Sequence, residues 1–317
     1  MTGRKVLVTG GAGFIGSNVA DAFVARGDRV WIVDDLSSGR RENVSGDATF
    51  VEMDIRDARL ADVFRDAGGF DVISHHAAQI DVRKSVADPR RNASINVDGF
   101  LNVTELARAH GTRRIVFVSS GGVVYGEPER IPTPETAPKL PSSPYGVTKL
   151  VAEHYMYYYA RVWGLDYVAL RYSNVYGPRQ DPHGEAGVVA IFCNRLIDGT
   201  PFTIFGDGEQ TRDYVFVGDV VRANLLAAEM PLEPMPASLD ERAFNVGTGT
   251  ETSVNQLART LMRAAGREVA VNYADARPGE VMRSCLDTSA LRARGWRPAT
   301  TLEQGLELTF KHIERNR

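Results

Sequence analysis

Lys5-Val-Leu-Val-Thr-Gly-Gly-Ala-Gly-Phe-Ile-Gly16 joins a short apolar run to Gly10, Gly13 and Gly16, set three residues apart. Val6 to Val8 read as a strand buried on both faces of a parallel sheet. Phe14, Ile15 and the apolar positions between Asn18 and Val24 predict a helix that begins at once. A strand, a turn without side chains and a helix N-terminus together make an anion site. Backbone N–H groups point at the ligand, the helix dipole favours negative charge, and missing Cβ atoms let a pyrophosphate approach. In this strand-to-helix setting the glycines predict dinucleotide binding, with Gly10, Gly13, Phe14, Ile15 and Gly16 around the pyrophosphate.

The second strand, Arg29-Val-Trp-Ile-Val33, ends in Asp34 and Asp35. A carboxylate there, about 20 residues past the glycine turn, binds ribose hydroxyls and repels a 2′-phosphate, so Asp34 favours NAD over NADP. Arg40 and Arg41 follow closely and weigh the other way. Thr49 to Met53 read as a third strand, with Asp54 and Ile55 placed to flank an adenine. Phe70 to Ser74 form a fourth, leaving through His75-His-Ala-Ala-Gln79. Adjacent histidines on an extended chain point to opposite faces, and no nearby acid or His spacing completes a ligand set, so no metal is expected. Ala77 and Ala78 fit better as a floor under a flat ring.

Asn92 to Arg108 read as one long helix with Asn96 on its inner side, and Arg114 to Ser120 as a fifth strand. A proline-rich loop follows, of a length that usually marks function. It leads into a helix with a serine cap and Pro144 in its first turn, carrying an aromatic cluster from Tyr155 to Tyr159. Leu165 to Arg171 are the sixth strand and Ala243 to Gly247 another buried one. Between them lie an apolar helix over Val188–Ile197, a strand over Phe202–Phe205 and the extended stretch Thr211–Val217.

The chain has 317 residues, 43% hydrophobic and 24% charged, which suits a soluble globular protein of one large or two ordinary domains. A net charge of −3 speaks against a nucleic-acid partner. No apolar run reaches a membrane span, and the first strand starts without a signal peptide. Two cysteines, Cys193 and Cys285, support neither a disulfide framework nor a zinc site, so a reduced, cytoplasmic setting is expected.

Tyr145 and Lys149 are four apart and share one helix face. A free phenol, with a pKa of about 10, is a poor base at neutral pH. A neighbouring ammonium stabilises the phenolate and draws that value down. Ser120, ending the fifth strand, supplies a hydroxyl able to bond the same substrate oxygen.

Taken together, Gly10 to Gly16, Asp34, Ser119-Ser120, Tyr145-Gly-Val-Thr-Lys149 and Arg212-Asp-Tyr-Val-Phe-Val217 resemble the extended short-chain dehydrogenase/reductase superfamily, and within it the nucleotide-sugar 4-epimerases of the UDP-glucose 4-epimerase type. The resemblance covers nearly the whole chain. It implies an α/β fold: a doubly wound Rossmann sheet of about seven parallel strands with a smaller C-terminal α/β substrate domain. Residues 1–174 plus 214–247 would bind NAD, and 175–213 plus 248–317 the UDP-sugar. A homodimer through a four-helix bundle is implied as well. Tyr145 would be the base, Lys149 its partner and Ser120 the hydroxyl aligning the sugar. Asn174, Arg212 and Arg277 would meet the diphosphate, since a guanidinium fork matches phosphate oxygens, and Glu280 the uridine ribose. Val189, Thr203 and Phe205 complete the substrate set. Ser38, Gly39, His76, Gln79, Asn96, Ser119 and Tyr172 join the cofactor contacts already named, with Tyr145 and Lys149 counted in both groups.

The loop after the fifth strand, Ser119-Ser-Gly-Gly-Val-Val-Tyr-Gly126, is one residue longer than in many epimerases, which leaves Ser119 and Ser120 as rivals for the catalytic hydroxyl. Ser120, just before the glycine pair, is the expected one. The matching reaction is 4-epimerisation of a UDP-hexose through a 4-keto sugar. The small Ser284 makes N-acetylhexosamines plausible substrates. A 4,6-dehydratase needs an acid/base pair where Gly121-Gly122 stand. A UDP-glucuronate epimerase or decarboxylase is harder to separate, since a carboxylate needs only one more donor. A catalytically dead NAD sensor conflicts with an intact Ser120, Tyr145 and Lys149.

Overall fold

The computed structural model describes residues 3–181, 187–233, 235–276 and 281–316. Strand β1 (Lys5–Thr9) passes through the glycine turn into α1 (Phe14–Ala25), and β2 (Arg29–Asp34) returns parallel beside it. β3 (Thr49–Glu52) pairs outside β2. After α2 (Leu60–Ala67) the chain crosses over, and β4 (Val72–His75) pairs with β1 on its other side. Helices α3 (Val82–Ala87), α4 (Pro89–Ala93) and α5 (Gly99–Ala109) then lead to β5 (Arg114–Ser120), parallel to β4. A short turn of helix, α6 (Gly121–Val124), and the long α7 (Pro144–Trp163) precede β6 (Asp166–Tyr172).

The next elements are short: β7 (Asn174–Tyr176), α8 (Val188–Ile197), β8 (Phe202–Phe205), β9 (Thr211–Arg212), β10 (Tyr214–Phe216) and α9 (Val217–Ala227). β11 (Ala243–Val246) ends the large sheet, whose order is β3-β2-β1-β4-β5-β6-β11. This is the doubly wound Rossmann arrangement. The order reverses at β1, so the carboxyl ends of β1 and β4 lie side by side where such sheets bind ligands. β12 (Thr252–Ser253), α10 (Val254–Ala265), β13 (Val271–Ala274), α11 (Ser289–Ala293) and α12 (Leu302–Arg315) complete the chain.

By compactness the chain divides in two. One unit comprises 1–126, 139–171 and 221–244; the other, 127–138, 172–220 and 245–317. The first has a core of sheet and helix residues including Leu7, Ile73, Phe100, Phe117 and Met156. The second packs Val189, Phe192, Phe202, Leu257, Leu306 and Phe310, with the Phe192 and Phe202 rings stacked at 4.2 Å.

Two elements differ from the expectation. The helix predicted over 92–108 starts at Pro89 and contains one π-helical turn, Ser94–Asp98, around Asn96. Such a turn inserts a residue that period counting cannot see. The stretch 211–217 breaks at Asp213, whose carboxylate turns inward, so it forms two short strands with different partners.

Candidate active site

The three glycines do different work. Gly10 has φ +68°, and a Cβ there would stand 2.6 Å from the Ala77 nitrogen. A Cβ on Gly16 would meet the Gly10 carbonyl oxygen at 2.2 Å. Both are glycine because the protein packs against them. Gly13 is different: it caps α1 with φ −77° and ψ 176°, a conformation open to any residue. A Cβ on it would meet only the Gly10 oxygen, at 3.3 Å. The fold leaves that space beside a helix N-terminus clear, as a dinucleotide pyrophosphate requires.

At the end of β2, Asp34 is buried and accepts from the Ala12 and Leu36 N–H groups, both at 2.9 Å. Burial raises its pKa while those backbone donors hold it down. Each oxygen keeps an acceptor direction for a ribose hydroxyl. Gly39 lets the following loop close over it, since a Cβ there would stand 2.7 Å from the carboxylate. Asp35 instead accepts from Ser37, and Ser38 is exposed. Of the two arginines that weighed toward NADP, Arg40 donates to Glu42 and Arg41 lies over the Phe50 ring. Asp54 is held by Arg56, and Ile55 is buried.

The β4 exit lies against the glycine turn: His76 N–H donates to the Thr9 carbonyl and Ala77 N–H to the Thr9 hydroxyl. Ala78 follows, half-buried. Asn96 pins Gln79 at both ends, accepting from its N–H at 2.7 Å and donating to its carbonyl at 3.0 Å. The same Asn96 amide donates to Thr148, whose hydroxyl reaches the Tyr145 carbonyl. The π turn thus ties this loop to the start of α7.

His75 shares a hydrogen bond with Thr9, and His76 with Ser74. Burial, with Lys149 close by, pushes both imidazoles down to about 3. Between that value and the ordinary 6.5 the unfolded chain binds protons that the folded chain refuses. Stability should therefore fall as pH drops below about 6.5. Thermal melts from pH 7 to pH 5 should slope downward, and His75→Gln should flatten that slope; an identical slope would remove His75 as a cause.

Helix α7 carries the proposed chemistry. Ser143 caps it by accepting from Gly146 N–H, and Gly146 lets its first turn sit against Val123. Tyr145 N–H donates to Ser85. One turn on, Lys149 is buried; its ammonium donates to the Val118 carbonyl at 2.8 Å and lies 5.8 Å from the Tyr145 ring centre. Burial lowers Lys149 to about 7, opposed by the Glu153 carboxylate. Two residues beyond Val118, Ser120 is half-buried at the strand end, beside Gly122. Ser119 points the other way. It is buried, and its hydroxyl donates to Glu153 at 2.5 Å. Alternation along β5 thus gives the two serines different partners.

The expected substrate residues other than Ser120 and Tyr145 fall in the second unit. Asn174 is exposed on β7. Arg212 is half-buried on β9, registered with Thr252. Beside it the buried Asp213 accepts from the Thr248 N–H and hydroxyl and the Gly249 and Leu286 N–H groups, joining three segments around the arginine. Thr203 accepts from Arg195, and Phe205 is half-buried. Val189 spends its side chain on the core, and Tyr172 is buried at the end of β6. Ser284 N–H donates to the Thr211 carbonyl. Arg277 and Glu280 lie outside the described residues. Sequence reasoning missed Glu153, Arg171 and Asp213. The first two carried a signal: a Glu four residues past Lys149, and an Arg inside an apolar strand.

Among the described residues no group of three or more His, Cys, Asp or Glu is placed to hold a metal, and no helix is long and apolar enough to cross a membrane. Residues 6–247 match the NAD dependent epimerase/dehydratase family. The UDP-glucose 4-epimerase of Mycolicibacterium smegmatis is 46% identical over 313 residues, 97% of either chain. A crystal structure of Thermotoga maritima UDP-glucose 4-epimerase with UDP-glucose is similar at TM-score 0.93 and 45% identity, covering 98% of this chain and 99% of that one. Thermus thermophilus UDP-glucose 4-epimerase in complex with NAD gives TM-score 0.89 and 44% identity, covering 98% of each.

Proposed function

The chain belongs to the NAD dependent epimerase/dehydratase family, and within it we propose that this protein inverts carbon 4 of a UDP-hexose through a 4-keto sugar. One observation carries the reading: Tyr145 and Lys149 share a face of α7, and Lys149 is fastened to β5 two residues before Ser120. Tyr145 takes the proton of the 4-hydroxyl and returns it to the keto oxygen. Lys149 holds the phenol's charge, and Ser120 bonds the same sugar oxygen while Ser119 stays with Glu153. The clear space at Gly13, the Asp34 carboxylate and the Ala77–Ala78 floor support NAD as the bound cofactor. Bound there, NAD would supply a reversible hydride acceptor and would not be consumed. Gly121 and Gly122 open α6 where a dehydratase would place its acid/base pair. Arg212 and Arg277 are assigned the diphosphate with Asn174, and Glu280 the uridine ribose.

The test is to incubate purified protein separately with UDP-galactose, UDP-N-acetylgalactosamine and UDP-glucuronate, without reductant, and separate the products. UDP-glucose from the first supports the reading. No 4-epimer from any of them, with NAD supplied, overturns it.

The working form is assigned as a cytoplasmic homodimer. Val147, Tyr155, Tyr158 and Val162 make an exposed apolar stripe along α7, which suits helix pairing with a second copy. Light scattering should give twice the mass of one chain, and Val162→Glu should lower it toward a single chain; a monomeric parent protein would remove the dimer.

A further inference from the structure

Behind the proposed catalytic set lies a cluster of charges that the reaction does not call for. Glu153 and Arg171 are 1% and 0% exposed. Arg171 clasps the carboxylate through Nε and one terminal nitrogen, the latter at 2.6 Å. Its other terminal nitrogen donates to the Tyr125 hydroxyl at 3.0 Å. The terminal nitrogen that meets Glu153 also donates to Asp240, itself paired with Lys139, at 3.3 Å. The Ser119 hydroxyl donates to the near side of the Glu153 carboxylate.

A buried ion pair is a poor way to gain stability. Two apolar side chains of similar volume often serve as well or better, without the cost of desolvating charge. The placement suggests a different use. Tyr145, Lys149 and Glu153 are spaced at i, i+4 and i+8 along α7, so they form one stripe with the lysine between phenol and carboxylate. We propose that Glu153 is a positioning residue for the proposed reaction: its carboxylate holds Ser119 away from the sugar and sets a negative charge one helical turn beyond the Lys149 that flanks Tyr145.

The groups around Lys149 make the sign clear. From the β4 exit come His75 and His76, both held neutral by burial. β5 contributes the Val118 carbonyl and the Phe117 ring, with Lys149 5.1 Å from the ring centre. Its own helix contributes Tyr145 and Glu153. β6 contributes Arg171, on the far side of Glu153, with Tyr125 and Asp240 beyond it. Burial works against the ammonium, and Glu153 is the anion that works for it. Neutralising Glu153 removes that support and also uncovers the Arg171 charge. Both effects drive Lys149 toward its neutral form, and a neutral lysine cannot stabilise the Tyr145 phenolate.

The proposal rests on Tyr145 being the base, yet its test needs no sugar. The ultraviolet absorption of the Tyr145 phenolate is titrated in the NAD-bound protein, with Tyr145→Phe as the blank. Glu153→Gln should move that titration upward by roughly one to two pH units. Glu153→Asp, which keeps the charge, should return most of the shift. Should Glu153→Gln lose its fold around an unpaired arginine, Glu153→Gln/Arg171→Gln removes both charges and should still move the titration upward, by less. A titration unchanged in whichever of these variants folds makes Glu153 a structural ion-pair partner only and overturns the proposal. Because the readout is the phenol, failure here is distinct from failure to epimerise any UDP-sugar.

Discussion

Replacing Tyr145 with Phe is expected to lower kcat roughly 100- to 10,000-fold, the range that a positioned acid/base group contributes. The substitution removes one oxygen and little else. The ring stays on α7, the backbone N–H still donates to Ser85, and Lys149 keeps its bond to the Val118 carbonyl. The NAD content of the purified protein and its melting temperature should therefore match the parent. Without the phenol, the site loses the group assigned to move the 4-hydroxyl proton. Lys149 is buried and donates to the Val118 carbonyl, and burial leaves both histidines very weak bases at neutral pH. The check is kcat on whichever UDP-hexose the parent turns over, alongside NAD released by denaturation. A kcat within tenfold of the parent would take Tyr145 out of the mechanism. Loss of NAD together with activity would show that the ring holds cofactor, and the acid/base assignment would lose its support.

The sheet was readable in the sequence because a parallel sheet covered on both faces leaves short apolar runs, and each of its seven strands was read from such a run. The glycine turn, the helix cap at Ser143 and the pairing of Tyr145 with Lys149 are local in sequence, and local spacing carries them. What escaped depends on distant contacts. Asp213 reads as one polar residue in an extended stretch, and only the loops at 248–249 and 286 explain why it is buried. The π turn around Asn96 adds a residue within a helix whose apolar pattern survives on either side. The choice between Ser119 and Ser120 turned on loop length in the sequence. In the fold the two serines differ in partner: Ser119 donates to Glu153, a residue more than 30 positions away.

Gly13→Val is expected to lower NAD affinity by about two orders of magnitude, some 3 kcal/mol, while leaving the fold intact. The expectation follows from what a side chain would meet at each glycine. Valine at Gly10 would have to hold φ +68° with its Cβ 2.6 Å from the Ala77 nitrogen, and valine at Gly16 would press on the Gly10 carbonyl at 2.2 Å. Both substitutions attack the turn itself, and both should lower the melting temperature whether or not NAD is present. At Gly13 the backbone is already extended, and the single neighbour, the Gly10 oxygen at 3.3 Å, yields with a shift of a few tenths of an ångström. The protein therefore has little reason of its own to keep glycine there; the pyrophosphate has one. Melting curves with and without added NAD separate the cases. The parent should gain stability from NAD in proportion to the logarithm of its concentration over Kd, and Gly13→Val should lose that gain while its ligand-free melt stays close to the parent's. If the variant is stabilised by NAD as strongly as the parent, the space beside Gly13 is not where the pyrophosphate lies, and the reading of the turn as a cofactor cradle fails with it.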